Sequence, residues 1–373
     1  MSGLFDAATA IILFIVVLGV VVLFHETGHF ITARLSRVRV LEFGFGFPPR
    51  AKLLGKRGET EYTLNWLPIG GFVKLEGEDG DADQDPRSFT RAPLWKKLLI
   101  LVMGVVMNLV LSFVIFTSIA WLMSPYLGVK VGSVVDGSAA ATAGIVANDA
   151  IISLNGKMYD IYSQESPLQV LHNSAGQTVQ IGIQHTDGTR TTVAATLASQ
   201  ADVDAGKGAL GIKAGDKGWE TIVLPETVSR PLPEAAGIGV SETVRAFGLI
   251  LDGLAQLGHS IVTNPTTAPP VSGPVGIATS LGDTFRNQGP IITLYMMGIL
   301  SANLALVNVL PFPPLDGGRM LMIVLKAIPR FGRRISQRAE QATYAIGFLA
   351  LFGFLIWVTF FDIARGLGGG GTP

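Results

Sequence analysis

An uncharged apolar run near the N-terminus passes directly into a motif with two histidines. Residues 7–24 read AATAIILFIVVLGVVVLF, and residues 25–29 read HETGH. A helix needs about 20 apolar residues to cross a hydrocarbon core, so we expect a membrane span that continues as a helix through Ala33. Histidines four residues apart lie on one face of a helix, where both imidazoles can reach one metal ion.

The residue between these histidines that carries chemistry is Glu26. A glutamate directly after the first histidine is placed to take a proton from the water that attacks a substrate. The chain contains only 5 histidines, and composition alone gives this pattern roughly two times in a thousand such sequences. The alternative is a set of polar residues that caps the end of a span, but their order at the end of a membrane helix favours the metal site.

Composition supports a membrane protein. The chain of 373 residues is 49% hydrophobic and 15% charged, with a mean hydropathy of +0.46, whereas ordinary globular chains carry roughly 25% charged residues. Three more stretches are long enough to span: Leu98–Met123, Asn287–Leu315 and Gln341–Phe361. No Lys or Arg precedes Arg34, so we expect the first span to be retained and not cleaved as a signal peptide.

Charge and cysteine content exclude several classes of protein. Lys and Arg total 28, as do Asp and Glu, so neither a nucleic-acid binder nor a highly charged disordered chain is expected. The absence of cysteine excludes disulfides, thiol nucleophiles and Cys-ligated zinc or iron–sulfur sites.

The basic residues predict the orientation of the spans. The loop from Arg34 to Lys97 carries 12 Lys and Arg, and the loop from Asp316 to Glu340 carries 6. The long segment between the second and third spans carries 9, spread over more than 150 residues. By the positive-inside rule, the two short basic loops are cytoplasmic, and both termini and the long segment lie on the outer side.

The segments between the spans have patterns of their own. Large apolar residues alternate in Leu41–Phe47 and again in Tyr62–Trp66, which predicts β-hairpins in the loop 36–97; these either form a small soluble hairpin or dip into the membrane. Short Val/Ile strands between 125 and 224 indicate an α/β domain. A helical apolar spacing from Val244 to Ile261 predicts an amphipathic helix.

The middle domain resembles a PDZ domain of the bacterial protease type. The resemblance is carried by Gly137–Ala141 and Asn148–Gly156, and Tyr126–Val129 is similar to the carboxylate-binding loop of such domains. A PDZ domain binds the C-terminus of a peptide as an added strand; the alternative is a domain that only restricts access sterically.

The predicted architecture is an α-helical membrane protein with four transmembrane helices, a cytoplasmic-side membrane-associated β-hairpin region and one extracytoplasmic PDZ-like α/β domain. The predicted segments are the first span with the HExxH motif (1–35), the hairpin loop (36–97), the second span (98–124), the PDZ-like domain (125–224), an amphipathic helix and linker (225–286), the third span (287–315), a basic cytoplasmic loop (316–340), the fourth span (341–362) and a flexible tail (363–373).

Asp316 is the best candidate for a third metal ligand. A catalytic zinc site commonly has three protein ligands and an open position. His172, His185 and His259 lie in the segment predicted to be on the other side of the membrane. Asp316 follows three prolines in Pro311–Pro314 and precedes two glycines, so the helix ends there and the backbone can turn closely around a ligand. The alternative is an aspartate that caps the next helix.

Together these motifs resemble the signature pair of the site-2 proteases, a family of intramembrane zinc metalloproteases. HExxH in the first span and Asn308–Gly317 after the third form that pair, and the order of segments resembles the bacterial regulator-of-sigma-E branch with a single PDZ domain. Gly104–Asn108 and Pro68–Val73 are similar to further motifs of the family. Well-studied members carry two PDZ domains, whereas this chain has room for one.

The resemblance implies a role for each motif residue. It assigns Zn²⁺ to His25, His29 and Asp316, the general base to Glu26, and binding of the substrate carbonyl or oxyanion to Asn308. For Asn308 an interhelical hydrogen bond is an equal alternative, and for Asn108 it is the favoured role. The hairpin region is expected to hold an unwound substrate as an added strand.

The implied activity is cleavage of transmembrane segments of single-span proteins in a bacterial inner membrane. The implied substrates are anti-sigma factors or signal-peptide remnants; the lipid bilayer and peptide C-termini at the PDZ-like domain are further expected partners, and nucleic acid is not. Two other classes remain open. A metal carrier would need polar residues along several spans, and an adaptor would have no need of Glu26 as a base.

Overall fold

The computed structural model describes residues 2–78, 85–215, 218–263, 269–332 and 335–367. Its helices are α1 (Ser2–Leu35), α2 (Leu94–Leu122), α3 (Ala139–Thr142), α4 (Pro167–Asn173), α5 (Gln200–Asp204), α6 (Leu232–Thr263), α7 (Pro274–Gln288), α8 (Pro290–Val309), α9 (Asp316–Ala327), α10 (Pro329–Gly332) and α11 (Gln337–Leu367). Its strands are β1 (Val40–Arg57), β2 (Thr60–Leu75), β3 (Ser124–Lys130), β4 (Ser133–Val134), β5 (Ala150–Leu154), β6 (Lys157–Asp160), β7 (Thr178–Gln184), β8 (Arg190–Thr196), β9 (Ile212–Lys213) and β10 (Thr221–Val228).

Four helices in the described part of the chain are long and apolar enough to cross a membrane. They are α1, α2, α8 and α11, which confirms the four predicted spans. The third of these, α8, ends at Val309, six residues before the end of the predicted span, because the prolines from Pro311 onward cannot continue a helix. The first residues of the predicted flexible tail, 363–367, are instead the last part of α11, and the remainder lies outside the described residues, which end at Leu367.

The chain divides into two compact units. One comprises Met1–Phe116, Gly239–Arg286 and Ile292–Pro373, and the other comprises Thr117–Ile238 and Asn287–Ile291. The first unit therefore contains all three predicted metal ligands, and the second contains the predicted PDZ-like domain.

In the first unit, β1 and β2 form one long antiparallel hairpin, as the alternating pattern predicted. Phe43 lies opposite both Val73 and Tyr62, so the two ends of β2 flank the first half of β1. That half is largely buried, whereas the half from Phe47 to Arg57 is exposed. Thr63 donates a hydrogen bond to Glu42 at 2.6 Å and Asn65 donates one to the carbonyl of Gly46 at 3.0 Å, which fixes the fold-back.

In the second unit, six strands form a sheet in the order β10-β3-β6-β5-β7-β8, and β4 pairs with β9. A buried aliphatic cluster centred on Ile151, Ile181 and Ile183 forms its core. Leu127, in the segment likened to a carboxylate-binding loop, pairs with Tyr159 on one side and Val223 on the other. Both edges of β3 are occupied, so no peptide strand can be added there.

Two helices differ from the sequence analysis. The amphipathic helix was predicted from Val244 to Ile261, and the observed helix α6 is longer, from Leu232 to Thr263. The stretch expected to be a linker contains α7, whose N-terminus is capped from α11: Asp362 Oδ2 accepts a hydrogen bond from the backbone N–H of Gly276 at 2.8 Å. A carboxylate at the first turn satisfies a free N–H and complements the helix dipole.

Candidate metal centre

The structure brings His25, His29 and Asp316 together. Asp316 Oδ2 lies 2.9 Å from His25 Nε2 and 3.2 Å from His29 Nε2, and the two Nε2 atoms are 3.1 Å apart. Both histidines are buried, with 5% and 8% of their surface exposed. Residues 291 positions apart along the chain thus present one nitrogen or oxygen each to a common point.

Two local features place these ligands. The histidines lie one turn apart on α1, and Asp316 is the first residue of α9. The turn before α9 is so tight that a Cβ on Gly317 would overlap the carbonyl oxygens of Val309 and Leu310. Only glycine therefore allows Asp316 to come back towards α1.

The second span orients His29 and leaves room for both rings. His29 Nδ1 lies 2.8 Å from the backbone carbonyl of Ile100; because a carbonyl only accepts, Nδ1 carries the proton and Nε2 is free to bind a metal. A Cβ on Gly104 would overlap Nε2 of His29 and lie 2.8 Å from Cε1 of His25. The glycine leaves the space that the imidazoles fill.

Asn108 approaches the other face of His25. Its side-chain amide lies 3.4 Å from His25 Nδ1, it is fully buried, and its Oδ1 has no hydrogen-bond partner. If His25 binds a metal through Nε2, its Nδ1 carries a proton. Rotating the Asn108 amide by 180° interchanges its oxygen and nitrogen, so that Oδ1 accepts a hydrogen bond from this Nδ1–H. The sequence analysis favoured an interhelical hydrogen bond for Asn108, and the structure directs that bond to a predicted ligand.

Glu26 lies beside the same point. With His29 and Asp316 it lines a cavity of about 290 Å³. One wall of this cavity is the end of β2: Gly71, Phe72 and Val73 line it, and a Cβ on Gly71 would lie 3.5 Å from Glu26 Cγ. The carboxylate therefore faces a space bordered by strand backbone.

Asn308 is not brought into this group. It lies one residue before the end of α8, half-buried, and is not among the described residues that line the cavity. The analysis of the sequence also missed two residues that do line it. Glu78 follows β2, and Arg319 on α9 donates a hydrogen bond to its carboxylate. Glu78 and Arg319 are 241 residues apart in the chain, so no local sequence pattern indicates that they pair.

The donor set fits a divalent metal ion. Within the described part of the chain, one group of side chains could hold a metal ion: His25, His29 and Asp316. Each offers one ligand atom, and these atoms lie within 4.8 Å of one another. Burial disfavours the charged form of Asp316, but the adjacent His29 and His25 outweigh it and hold the pKa of Asp316 below its usual range. Two imidazoles and an ionised carboxylate are a common set in catalytic zinc sites.

Comparison with known proteins supports this interpretation of the site. The family model described as peptidase family M50 matches residues 13–354. A Clostridium acetobutylicum protein named "putative zinc metalloprotease" is 32% identical over 356 residues, covering 95% of this chain and 97% of its own.

Two further relatives carry the same name. One, from Clostridium perfringens, is 33% identical over 343 residues, which are 92% of this chain and 95% of its own. The other, from a Nostoc species, is 28% identical over 357 residues, which are 92% and 93%. These matches extend over nearly the whole chain, and the chain belongs to peptidase family M50, the site-2 protease family that its motifs resemble.

Proposed function

We propose that this protein is a zinc metalloendopeptidase that cleaves single-span membrane proteins within or next to a bacterial inner membrane. The observation that carries the proposal is the meeting of His25, His29 and Asp316 next to a cavity that Glu26 lines, at the end of an apolar helix long enough to span. A metal site that only stabilised the fold would not need the carboxylate of Glu26 in the adjoining cavity.

Each residue has a defined task in this proposal. His25, His29 and Asp316 would hold Zn²⁺, which when bound supplies a Lewis acid that polarises the scissile carbonyl and its attacking water. Glu26 takes the proton of that water and later donates a proton to the leaving amine. The N–H···O contact with Ile100 keeps His29 in the correct tautomer throughout.

The hairpin supplies a means to hold the substrate. Residues 71–75 pair with β1 on one side, and Gly71, Phe72 and Val73 line the cavity. A peptide bond inside a transmembrane helix is shielded by its own turns, so the substrate must unwind before attack. Addition of the unwound segment as a strand along this end of β2 gives its N–H and C=O groups new partners.

Sidedness and partners belong to the same proposal. The two basic loops would lie in the cytoplasm, so water would reach the cavity from that side and the second unit would lie on the extracytoplasmic side of the membrane. Anti-sigma factors or signal-peptide remnants are the substrate classes we propose. For peptide capture, β9 is better placed than β3, because among the described strands it pairs only with β4. Asn308 keeps its proposed role at the substrate carbonyl.

The proposal is tested by cleavage of a single-span substrate in detergent. Wild-type protein, Glu26→Gln and a chelator-treated sample are compared, and zinc is measured in each. Glu26→Gln should keep its zinc and lose roughly 10²–10⁴-fold in rate, the usual contribution of a general base.

The outcomes separate the classes of function. Cleavage by zinc-loaded wild type alone supports the peptidase. Full activity of Glu26→Gln removes the general-base assignment. Bound zinc without cleavage of any of several trimmed substrates favours a gated enzyme or an adaptor that uses its outer domain to gather membrane proteins. Well-folded wild type without zinc refutes the metal centre.

A further inference from the structure

A second cavity lies between the end of α1 and the start of α2, next to the apolar segments expected to cross the membrane. It has a volume of about 620 Å³ and is formed by the last residues of α1, the turn after it, and the first turns of α2. Its apolar lining is exposed: Leu35 has 80% of its surface accessible, Trp95 61% and Leu99 40%. We call it the boundary groove. It is distinct from the cavity at Glu26 and shares no residue with it.

The rim of the boundary groove is basic. Arg37 and Lys96 line it, and no lining residue is acidic. Lys96 Nζ donates a hydrogen bond to the carbonyl of Ser36 at 3.0 Å and lies 5.6 Å from the ring centroid of Trp95. Arg37 is exposed and has a positive φ of 61°, which turns the chain out of α1 and leaves its guanidinium at the end of the helix.

The floor of the groove continues into the span. Leu99 and Met103 line the groove one turn apart on α2, and Val102 is also exposed at 38%. The adjacent positions Ile100 and Gly104 face the histidines instead. An occupant of the groove therefore lies against a face of α2 next to the face that supports the metal centre.

We propose that the boundary groove binds one anionic phospholipid. Its phosphodiester would lie between Arg37 and Lys96, and its acyl chains would follow Leu99 and Met103 into the bilayer. Basic pockets between membrane helices on the cytoplasmic side suit anionic headgroups, and tryptophan is enriched at the headgroup level. The inference rests on α1 and α2 crossing a membrane and not on proteolytic activity.

The choice of a lipid follows from the combination of charge and apolar surface. A soluble anion would use the two cations and leave the exposed Leu35, Trp95 and Leu99 in contact with water. A neutral lipid would cover the apolar floor and leave Arg37 and Lys96 without a counter-charge. Only a ligand with one anionic group attached to long apolar chains satisfies both parts of the groove.

The test is lipid retention measured by native mass spectrometry on the full chain in detergent. Phosphatidylglycerol and phosphatidylcholine with identical acyl chains are each added to wild type, to Arg37→Gln/Lys96→Gln and to Lys52→Gln/Arg57→Gln. The last variant removes two exposed positive charges from the same loop away from the groove. Wild type and the control should retain one phosphatidylglycerol, and the groove variant should bind it at least tenfold more weakly.

Three results would overturn the proposal. They are equal phosphatidylglycerol binding by the groove variant, equal binding of the two lipids by wild type, and full displacement of the lipid by inorganic phosphate. Zinc content and elution volume report folding. Should the loss of the Lys96–Ser36 bond unfold the double variant, Arg37→Gln alone replaces it, since that side chain is exposed; a weakening below threefold would then count against the proposal.

Discussion

Two positions on α2, one turn apart, determine how well the histidines are held. Gly104 leaves the space that both imidazoles fill, and Asn108 lies against His25 Nδ1. Neither residue is one of the three predicted ligands, yet the neighbours that orient metal ligands commonly change metal affinity by roughly 10–100-fold.

Gly104→Ala should therefore lose zinc. The added methyl would overlap His29 and force both rings away from Asp316, so zinc affinity should fall by roughly 10–100-fold and overpacking should cost about 1–3 kcal/mol of stability. Competition with a chromogenic chelator measures the affinity. Gly19→Ala on α1 is the matched control, since a Cβ there has no neighbour within 4 Å. Equal affinity in both variants would show that Gly104 does not shape the site.

Asn108→Leu should release zinc faster, whereas Asn108→Asp should retain it. A carboxylate at this position still accepts a hydrogen bond from His25 Nδ1–H, and leucine cannot, so the ring loses its orienting partner. The zinc dissociation rate should rise by roughly tenfold in the leucine variant. Ser112→Ala removes another buried polar group one turn further along α2 and should leave the rate unchanged. A purely interhelical role would instead affect thermal stability without changing the release of zinc.

At the scale of elements, the hairpin is tied to the helix that carries Asp316. Arg319 on α9 pairs with Glu78, whose other oxygen accepts a hydrogen bond from the backbone N–H of Leu75 at 3.2 Å. The pair is partly exposed, at 34% for the Arg319 side chain and 11% for that of Glu78. It connects the end of β2, which forms one wall of the cavity, to the element that supplies the third predicted ligand.

A double-mutant cycle measures this connection. Glu78→Gln and Arg319→Gln should each lower the midpoint of thermal unfolding in detergent, and the double variant should be no worse than the more damaging single change. The coupling should be about 1 kcal/mol, because solvent screens a partly exposed pair. The exchanged variant Glu78→Arg/Arg319→Glu should recover part of the loss. Strict additivity of the two single changes would show that the pair contributes no coupling.

At the scale of the whole molecule, the proposed orientation can be tested directly because the chain has no cysteine. Thr186→Cys lies in the second unit and Lys52→Cys in the hairpin, and both positions are exposed. In intact bacteria, a membrane-impermeant maleimide should label Thr186→Cys and leave Lys52→Cys unlabelled until the cells are opened. Labelling of Lys52→Cys in intact cells would reverse the orientation drawn from the basic loops.

Local pattern was enough to predict some elements closely. The four spans follow from apolar runs of sufficient length, and the hairpin of β1 and β2 follows from the alternating residues of Leu41–Phe47 and Tyr62–Trp66. Where neighbours in space decide, the prediction was less accurate. Tyr126–Val129 resembles a carboxylate-binding loop in sequence, but in the structure it lies within β3, between β10 and β6. The linker before α8 contains α7, which depends on the distant Asp362 for its cap.

The sequence by itself determined the membrane spans, the hairpin and the HExxH pair, because hydrophobic length, a period of two and a spacing of four residues are local properties of the chain. It also indicated Asp316, since the Pro-rich turn and the glycines are adjacent to it. Only the tertiary structure decided which distant groups complete the centre: Ile100, Gly104 and Asn108 around the histidines, and the pairing of Glu78 with Arg319. Contacts between residues far apart in the chain depend on how the helices pack, and packing leaves no periodic trace in one sequence.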